Sequence, residues 1–292
     1  MYSQDLVIAT TMIGSLSVLA FLLGSRVRSN RKCLFISTIS VAVVFCNWFQ
    51  GSLGWVSIVP HSSAVQLSNL TPILVAFIGG FACYGMVLSQ RIRPIVVTTL
   101  CLLTMVCLFA PVVRPAIAPL SVNPAGESKG LVVLQSHDST CAPASAATLL
   151  GLNGIQSNEA EMIGPCLTSE FGTEALGLYR GIKIGCKGTN LEVGVADRNP
   201  KQWAATGQLP NVALVRFPSD EFESSVSQSE LRRANPNWFS GIHNRADGHA
   251  VVIVDYQDGS WTIADPAVGL VKWSDSELQT RFTGEAIYLF RQ

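Results

Sequence analysis

Acidic side chains are all but missing from the first 113 positions: Asp5 stands alone there, against six basic residues. The long apolar runs of this half contain no acid or base, which excludes an ion or proton path through them. The chain also lacks a G-x-x-x-x-G-K-[ST] loop, so no nucleotide partner is expected and no ATPase is built in. No basic stripe with interleaved aromatics occurs, which argues against a nucleic-acid partner. No CxxC pair or histidine cluster suggests zinc, and no cofactor is expected. Residues 114–292 hold the remaining nineteen acids and fourteen basic residues. The two parts carry +5 and −5, so the formal net charge of zero hides two different kinds of segment.

Four apolar runs fill the first part, at 6–23, 33–53, 71–89 and 94–113. Each is near the ~20 residues a helix needs to cross ~30 Å of hydrocarbon. The second is the least clean, because Asn47, Gln50, Gly51 and Gly54 interrupt it. Gly79 and Gly80 suit close helix packing. The cations fall in two short loops, Arg26, Arg28, Arg31 and Lys32 in one and Arg91 and Arg93 in the other. Segment 54–70 has neither Lys nor Arg. Positive charge retained inside places both basic loops in the cytoplasm, and the N-terminus, segment 54–70 and everything after the fourth run outside. The expected location is a multi-pass protein of a bacterial inner membrane, with the lipid bilayer as a partner and the later domain on the periplasmic side. The first run has its basic cluster behind it and reads as an anchor rather than a cleaved signal.

The sequence divides into a membrane domain of four transmembrane helices at 1–113, a Pro/Gly-rich linker at 114–130 and a folded domain at 131–292. Pro111, Pro115, Pro119 and Pro124 leave the linker little capacity for helix. In the last domain helix signals come first: 141–151, then a helix capped by Asn158 with Glu161, then one begun at Thr173. Asn199-Pro200 opens a short helix through Trp203. Strand-like runs follow at 211–217, 249–255, 261–264, 269–273 and 286–290, with a capping box at Ser274 and Glu277. Helices early and strands late make the fold class α+β. Residues 218–247, with Trp238, Phe239, His243 and Asp247, form a polar insertion long enough to be functional or mobile.

Cys141 stands where a loop meets the apolar run CAPASAATLL. A helix N-terminus favours a thiolate through its dipole and free N–H groups. The small residues Ala142, Ala144 and Ser145 would leave room for a substrate. Taken alone, the same cysteine reads more readily as a buried structural thiol than as a nucleophile. Of four histidines, His249 begins a strand, while His137 lies only four residues before Cys141 in the same loop. Asp265 ends the next strand, sixteen residues after His249. An even separation lets a hairpin folded about residue 257 put the two opposite each other on one face, close enough for the carboxylate to hold the imidazole. That arrangement needs an odd loop or a bulge near 255–259. A two-residue turn at Asp258-Gly259 alone would put them on opposite faces. If the domain is outside the cytoplasm, Cys166 and Cys186 could form a disulfide and leave Cys141 free.

Gln135-x5-Cys141 with Pro143-Ala144, Gly248-His249-Ala250-Val251-Val252, Ala264-Asp265-Pro266 and the closing Phe282-Thr283-Gly284-Glu285-Ala286 appear in order along 131–292. This set resembles the bacteriocin-processing, double-glycine-leader cysteine peptidases, family thirty-nine of the cysteine peptidases. The resemblance implies a papain-like fold with Cys141 as nucleophile, His249 as general base, Asp265 as its orienter and Gln135 as oxyanion donor. The implied partner is a peptide or protein substrate, with any export machinery supplied by a separate protein. The family carries Gly directly after the cysteine, where this chain carries Ala142. Two further readings stay open: a degenerate domain that binds peptides without cutting them, and an amide hydrolase or transferase using the same side chains.

Overall fold

The computed structural model describes residues 4–27, 32–84, 88–122, 127–217 and 248–291. The insertion 218–247, with Trp238, Phe239, His243 and Asp247, lies outside the described residues, as do Arg28 and Arg31 of the first basic loop. Contacts divide the chain into two compact units, Met1–Arg114 and Pro115–Gln292.

The first unit is helical: α1 (Gln4–Arg26), α2 (Lys32–Trp48), α3 (Ala64–Leu67), α4 (Thr71–Tyr84) and α5 (Arg93–Ile117). Among the described residues three stretches are long and apolar enough to cross a membrane: Gln4–Arg26, Ala64–Cys83 and Arg93–Ile117. The second apolar run is thus shorter as a continuous helix than expected. α2 stops at Trp48, ahead of the positive-φ Gly51, and a 3₁₀ turn at Leu53–Ser57 follows.

α1 buries Leu6, Ala9, Ile13, Ser17, Ala20 and Gly24, a stripe at three- and four-residue spacing. The stripe ends in backbone contact with α4. A Cβ on Gly24 would lie 2.3 Å from Phe77 O, and one on Gly80 would lie 2.0 Å from Phe21 O. Gly79 is different, since its nearest neighbour would be Leu100 Cβ at 3.4 Å. Small residues here set the distance between the two helices.

Segment 54–70 folds back into the unit, with Gln66, Ser68 and Asn69 at most 1% exposed. The reason lies in α5, which runs on to Ile117 through Pro111 and Pro115, where a proline-broken tether was expected. Pro111 has no N–H to give to the carbonyl four residues back, Cys107 O. Asn69 Nδ2 donates to that carbonyl at 2.8 Å, and Gln66 Nε2 donates to Leu108 O at 3.0 Å. Asn69 Oδ1 accepts in turn from Gln50 Nε2 at 3.1 Å, and Gln50 Oε1 accepts from the Thr71 hydroxyl at 2.6 Å. Gln50, one of the polar residues that make the second run unclean, therefore helps to support the carbonyl that a proline leaves bare in the helix.

The second unit opens with a hairpin, β1 (Glu127–Lys129) and β2 (Val132–Leu134), followed by α6 (Cys141–Leu152), α7 (Glu159–Ile163) and α8 (Ala175–Gly185). Then come β3 (Leu191–Val195), β4 (Asn211–Arg216), β5 (Gly248–Gln257), β6 (Ser260–Asp265), β7 (Gly269–Ser274), α9 (Asp275–Arg281) and β8 (Phe282–Arg291). The last six strands form one antiparallel sheet in the order β3-β8-β4-β5-β6-β7. The α+β class holds, with helices before and an antiparallel sheet after. Trp203, Trp261, Trp273, Val251, Ile253 and Ile263 lead the core. The buried indoles of Trp203 and Trp261 keep their donors paired, Trp203 Nε1 with Asp197 O and Trp261 Nε1 with Asp275 Oδ1, both at 2.7 Å.

α7 and α9 start in the expected capping boxes, Asn158 with Glu161 and Ser274 with Glu277. α8 starts one residue later than expected, with Glu174 rather than Thr173 at its N-cap. Cys166 and Cys186 are both free thiols, so the disulfide left open by the sequence is not formed. Cys166 packs into the Gly177 and Gly181 face of α8: a Cβ on Gly181 would lie 2.1 Å from its Sγ. Cys186 follows Gly181 by five residues, about 140° around the helix, and so points away from that face.

The two adjacent glycines give a test of the helix contact. Gly80→Ala is expected to force α1 and α4 apart and cost about 1–3 kcal/mol. Gly79→Ala is expected to change little. Thermal unfolding of the purified protein in detergent reads the difference.

Candidate active site

The loop from Gln135 to Thr140 is held in part by its own residues before α6 begins. His137 N–H donates to Thr140 Oγ1 at 3.1 Å, and the Thr140 hydroxyl returns a bond to His137 O at 2.7 Å. His137 Nδ1 accepts from Ser139 N–H at 3.1 Å, so this imidazole is spent on the loop. Cys141 follows as the first residue of α6 and is partly exposed. The helix behind it is buried through Leu150, including Ala142 at 4%, Ala144 at 0% and Ser145 at 0%. These small residues pack inward. The Ser145 hydroxyl donates to Ala250 O at 2.8 Å and so fastens α6 to the start of β5.

β5 carries His249 as its second residue, and β6 ends on Asp265. The hairpin between them does contain a two-residue turn, with Gln257 paired to Ser260 and positive φ at both Asp258 and Gly259. A bulge restores the parity. Asp255 pairs with Thr262, but Ile253 pairs with Ile263, which leaves Val254 as an extra residue. With this register continued, Asp265 faces Val251, and His249 lies two residues further along on the same side of the strand. The pair is diagonal rather than directly opposed, still within reach of long side chains. His249 Nε2 and Asp265 Oδ1 are 2.8 Å apart, with side chains 13% and 8% exposed. Asp265 Oδ1 also accepts from Ala267 N–H at 2.8 Å. The Phe217 ring packs 5.6 Å from the imidazole.

With Nε2 on the carboxylate, Nδ1 is the nitrogen left for Cys141, and the thiol and imidazole are hydrogen-bonded. Burial acts to raise the Cys141 thiol, but the bond to His249, its charge, and the backbone N–H groups of Ala250 and Ala142 outweigh it. The net effect holds the thiol below its ordinary value. Burial likewise opposes the charged imidazole, and the bonds to Asp265 and Cys141 overcome it and push His249 up to about 10. Cys166 goes the other way, because burial drives its thiol up to about 12.

Gln135 stands at the start of the loop, where its backbone N–H donates to Pro266 O at 2.8 Å, next to Asp265 in sequence. Its Nε2 makes only a long 3.3 Å bond to His137 O. A donor so loosely engaged can turn to a stronger acceptor. Gln135, Cys141, His249 and Asp265 are thus joined through one run of contacts. No cluster of three or more His, Cys, Asp or Glu side chains suited to a metal stands among the described residues. Two residues tied to this arrangement carry no such mark in the sequence. Ser145 is one small residue among several there, and Glu159 an ordinary first-turn acid. Glu159 is fully buried, and its Oε1 accepts from Ser136 N–H at 2.8 Å.

Comparison with known proteins gives partial matches to this chain. An uncharacterised protein of Methanothermobacter marburgensis is 24% identical over 165 residues, 56% of this chain and 89% of that protein. Among solved structures, a double glycine motif protease from an AMS/PCAT transporter, in complex with the leader peptide, is 20% identical with a TM-score of 0.40. It aligns with 55% of this chain and 91% of its own. The peptidase domain of Streptococcus ComA, a bifunctional ABC transporter involved in quorum sensing, is 21% identical with a TM-score of 0.40 over 55% of this chain and 98% of its own. Residues 221–292, the stretch that bears His249 and Asp265, match the Peptidase C39 family, the same family that the sequence motifs resemble.

Proposed function

We propose that the chain is a membrane-anchored cysteine peptidase that cuts leader peptides or other exported peptides. The observation that carries this reading is the run of hydrogen bonds from the thiol at the start of α6 through His249 to Asp265. Paired in this way, the resting state is a thiolate beside an imidazolium. The thiolate attacks the peptide carbonyl carbon, and the new C–S bond pushes a pair onto the oxygen. Gln135 Nε2 and the Cys141 backbone N–H receive that oxyanion. His249 gives its Nδ1 proton to the leaving amine as the C–N bond breaks, and a thioester remains. Neutral His249 then takes a proton from water, hydroxide displaces the sulfur, and the carboxylic acid leaves. Asp265 keeps the imidazole oriented and stabilises its charged form throughout.

A second reading, a domain that binds peptides without cutting them, draws on two observations. Ala142 stands where the family has Gly, and the family match begins at residue 221 and so does not reach Cys141. Thiol chemistry separates the two readings, because a binder has no need of a thiolate.

The location is argued from charge. The basic residues around 26–32 and 91–93 support a cytoplasmic position for those two loops. The Ser62 hydroxyl donates to Asp5 Oδ2 at 2.6 Å, which keeps the N-terminal end of α1 and segment 54–70 on one side. That is the outer side in this scheme, and the peptidase unit shares it after the fourth helix. A cytoplasm-dependent reporter fused after Gln292 should be silent, and activity there would overturn the orientation.

Two experiments test the chemistry. Cys141→Ala should abolish cleavage, His249→Ala should lower kcat by about 10²–10⁴-fold, and Cys166→Ala should leave it intact. Comparing the peptides cut in cells with and without Cys141 identifies the substrate as well. The pH dependence has a defined sign. A lowered thiol pKa means that thiolate is present below the ordinary 9.0, and a raised imidazole pKa means that imidazolium persists above the ordinary 6.5, up to about 10. Alkylation of Cys141 by iodoacetamide should therefore set in at a lower pH than that of an ordinary thiol and fall on acidification. Cleavage should fail on the alkaline side near pH 10, with that limb moved down by Asp265→Asn. Reactivity that rises only toward pH 9 would favour the binding reading.

A further inference from the structure

Glu159 is a carboxylate with no exposed surface, in a chain that otherwise keeps most of its charge in water. A buried carboxylate is costly unless it is paired or hydrogen-bonded. Its Oε1 accepts from Ser136 N–H at 2.8 Å, and among the described residues its Oε2 has no hydrogen-bond partner. Ser136 directly follows Gln135, the residue whose amide must reach the developing oxyanion. Two groups from outside the loop hold the backbone N–H groups at this point. Pro266 O takes that of Gln135, and Glu159 takes that of Ser136. The first fastens the loop to the turn after Asp265, and the second fastens it to α7. Gln135 itself is weakly committed, with Nε2 on a long bond to His137 O and a buried Oε1 without a partner among the described residues. Its aim is therefore set by the backbone on either side of it.

We propose that Glu159 is the positioning residue of the oxyanion loop: by holding Ser136 N–H it fixes where the Gln135 amide points, and it acts on acyl transfer without acting on the thiolate. This rests on the peptidase reading of Cys141. It makes a prediction that a general structural role does not, because two reagents are attacked by the same sulfur through different routes. In iodoacetamide the thiolate displaces iodide at carbon, and no oxyanion forms. p-Nitrophenyl acetate is attacked at its carbonyl: an oxyanion forms, the C–S bond is made, the C–O bond breaks and p-nitrophenolate leaves with the electron pair. Only the second reaction needs the loop.

The experiment uses the full chain in detergent, with the p-nitrophenolate burst corrected by Cys141→Ala and the alkylated site identified by mass spectrometry. Glu159→Ala is expected to slow acylation about tenfold or more while alkylation of Cys141 and its pH profile stay within about twofold. Glu159→Gln, which keeps an oxygen for Ser136 N–H, should recover most of the acylation rate. Should the alanine variant fail to fold, Glu159→Asp, one methylene shorter, is expected to show the same selective loss. Acylation unchanged in Glu159→Ala, or acylation and alkylation falling together, would overturn the proposal. A wild-type Cys141 that alkylates no faster than an ordinary thiol at neutral pH is a separate outcome; it removes the nucleophile and, with it, the oxyanion loop that Glu159 would position.

Discussion

The bond from the Ser145 hydroxyl to Ala250 O joins the first turns of α6 to the start of β5, and the chemistry of the second unit depends on that contact. One residue before Ala250 is His249, and one turn before Ser145 is Cys141. Ala250 serves twice, since its carbonyl takes the serine and its N–H supports the sulfur. Burial at this junction works against both charges of the pair. A thiolate and an imidazolium are each disfavoured by loss of water, and together they are favoured only when held in contact. The sheet supplies the rest of the restraint, because Asp265, itself held by Ala267 N–H, fixes the far side of the imidazole.

The separation of Cys141 from its partners by more than a hundred residues limits what local sequence reveals. Parity survives that limit: His249 and Asp265 lie on one side of the hairpin, as an even spacing allows. The device that achieves it is legible only as a requirement. The Asp258-Gly259 turn would by itself put them on opposite faces, and the bulge at Val254 corrects it within an apolar run that carries no mark of a bulge. Caps are local, so Asn158, Asn199 and Ser274 are readable at once. Strand β3 is not legible, because Gly194 interrupts a short Leu-Glu-Val-Gly-Val run that is ordered by pairing with β8. Glu159 is hidden for the same reason. Its partner, Ser136, is twenty-three residues away, and its burial is a property of the packed unit rather than of α7.

In the first unit composition speaks clearly about apolarity and less clearly about helix length. Proline in α5 reads as a helix breaker because its cost is usually left unmet. Here the cost is met by Asn69, which lies far back in the sequence, so the helix continues. A few polar side chains, Asn69 and Gln66 with Gln50 behind them, tie a presumed loop into the packed unit. The same logic explains Gly80, whose missing side chain matters only because Phe21 O occupies the space.

The three cysteines of the second unit show how far environment alone can divide one functional group. Burial drives Cys166 up to about 12 and, with Glu192 nearby, Cys186 up to about 11. Cys141 feels burial as well, yet it moves down because an imidazole and two backbone N–H groups are aimed at it. Thiol oxidation and exchange proceed through the thiolate, so at neutral pH the two buried thiols are poor reactants whatever the redox state around them. Their remaining unbonded is therefore compatible with an outer location. It also means that an oxidising compartment would act on this unit chiefly through Cys141, the one sulfur there that is held below the ordinary thiol range and partly exposed. An enzyme so placed would meet its peptide with the nucleophile as the reactive thiol of that unit.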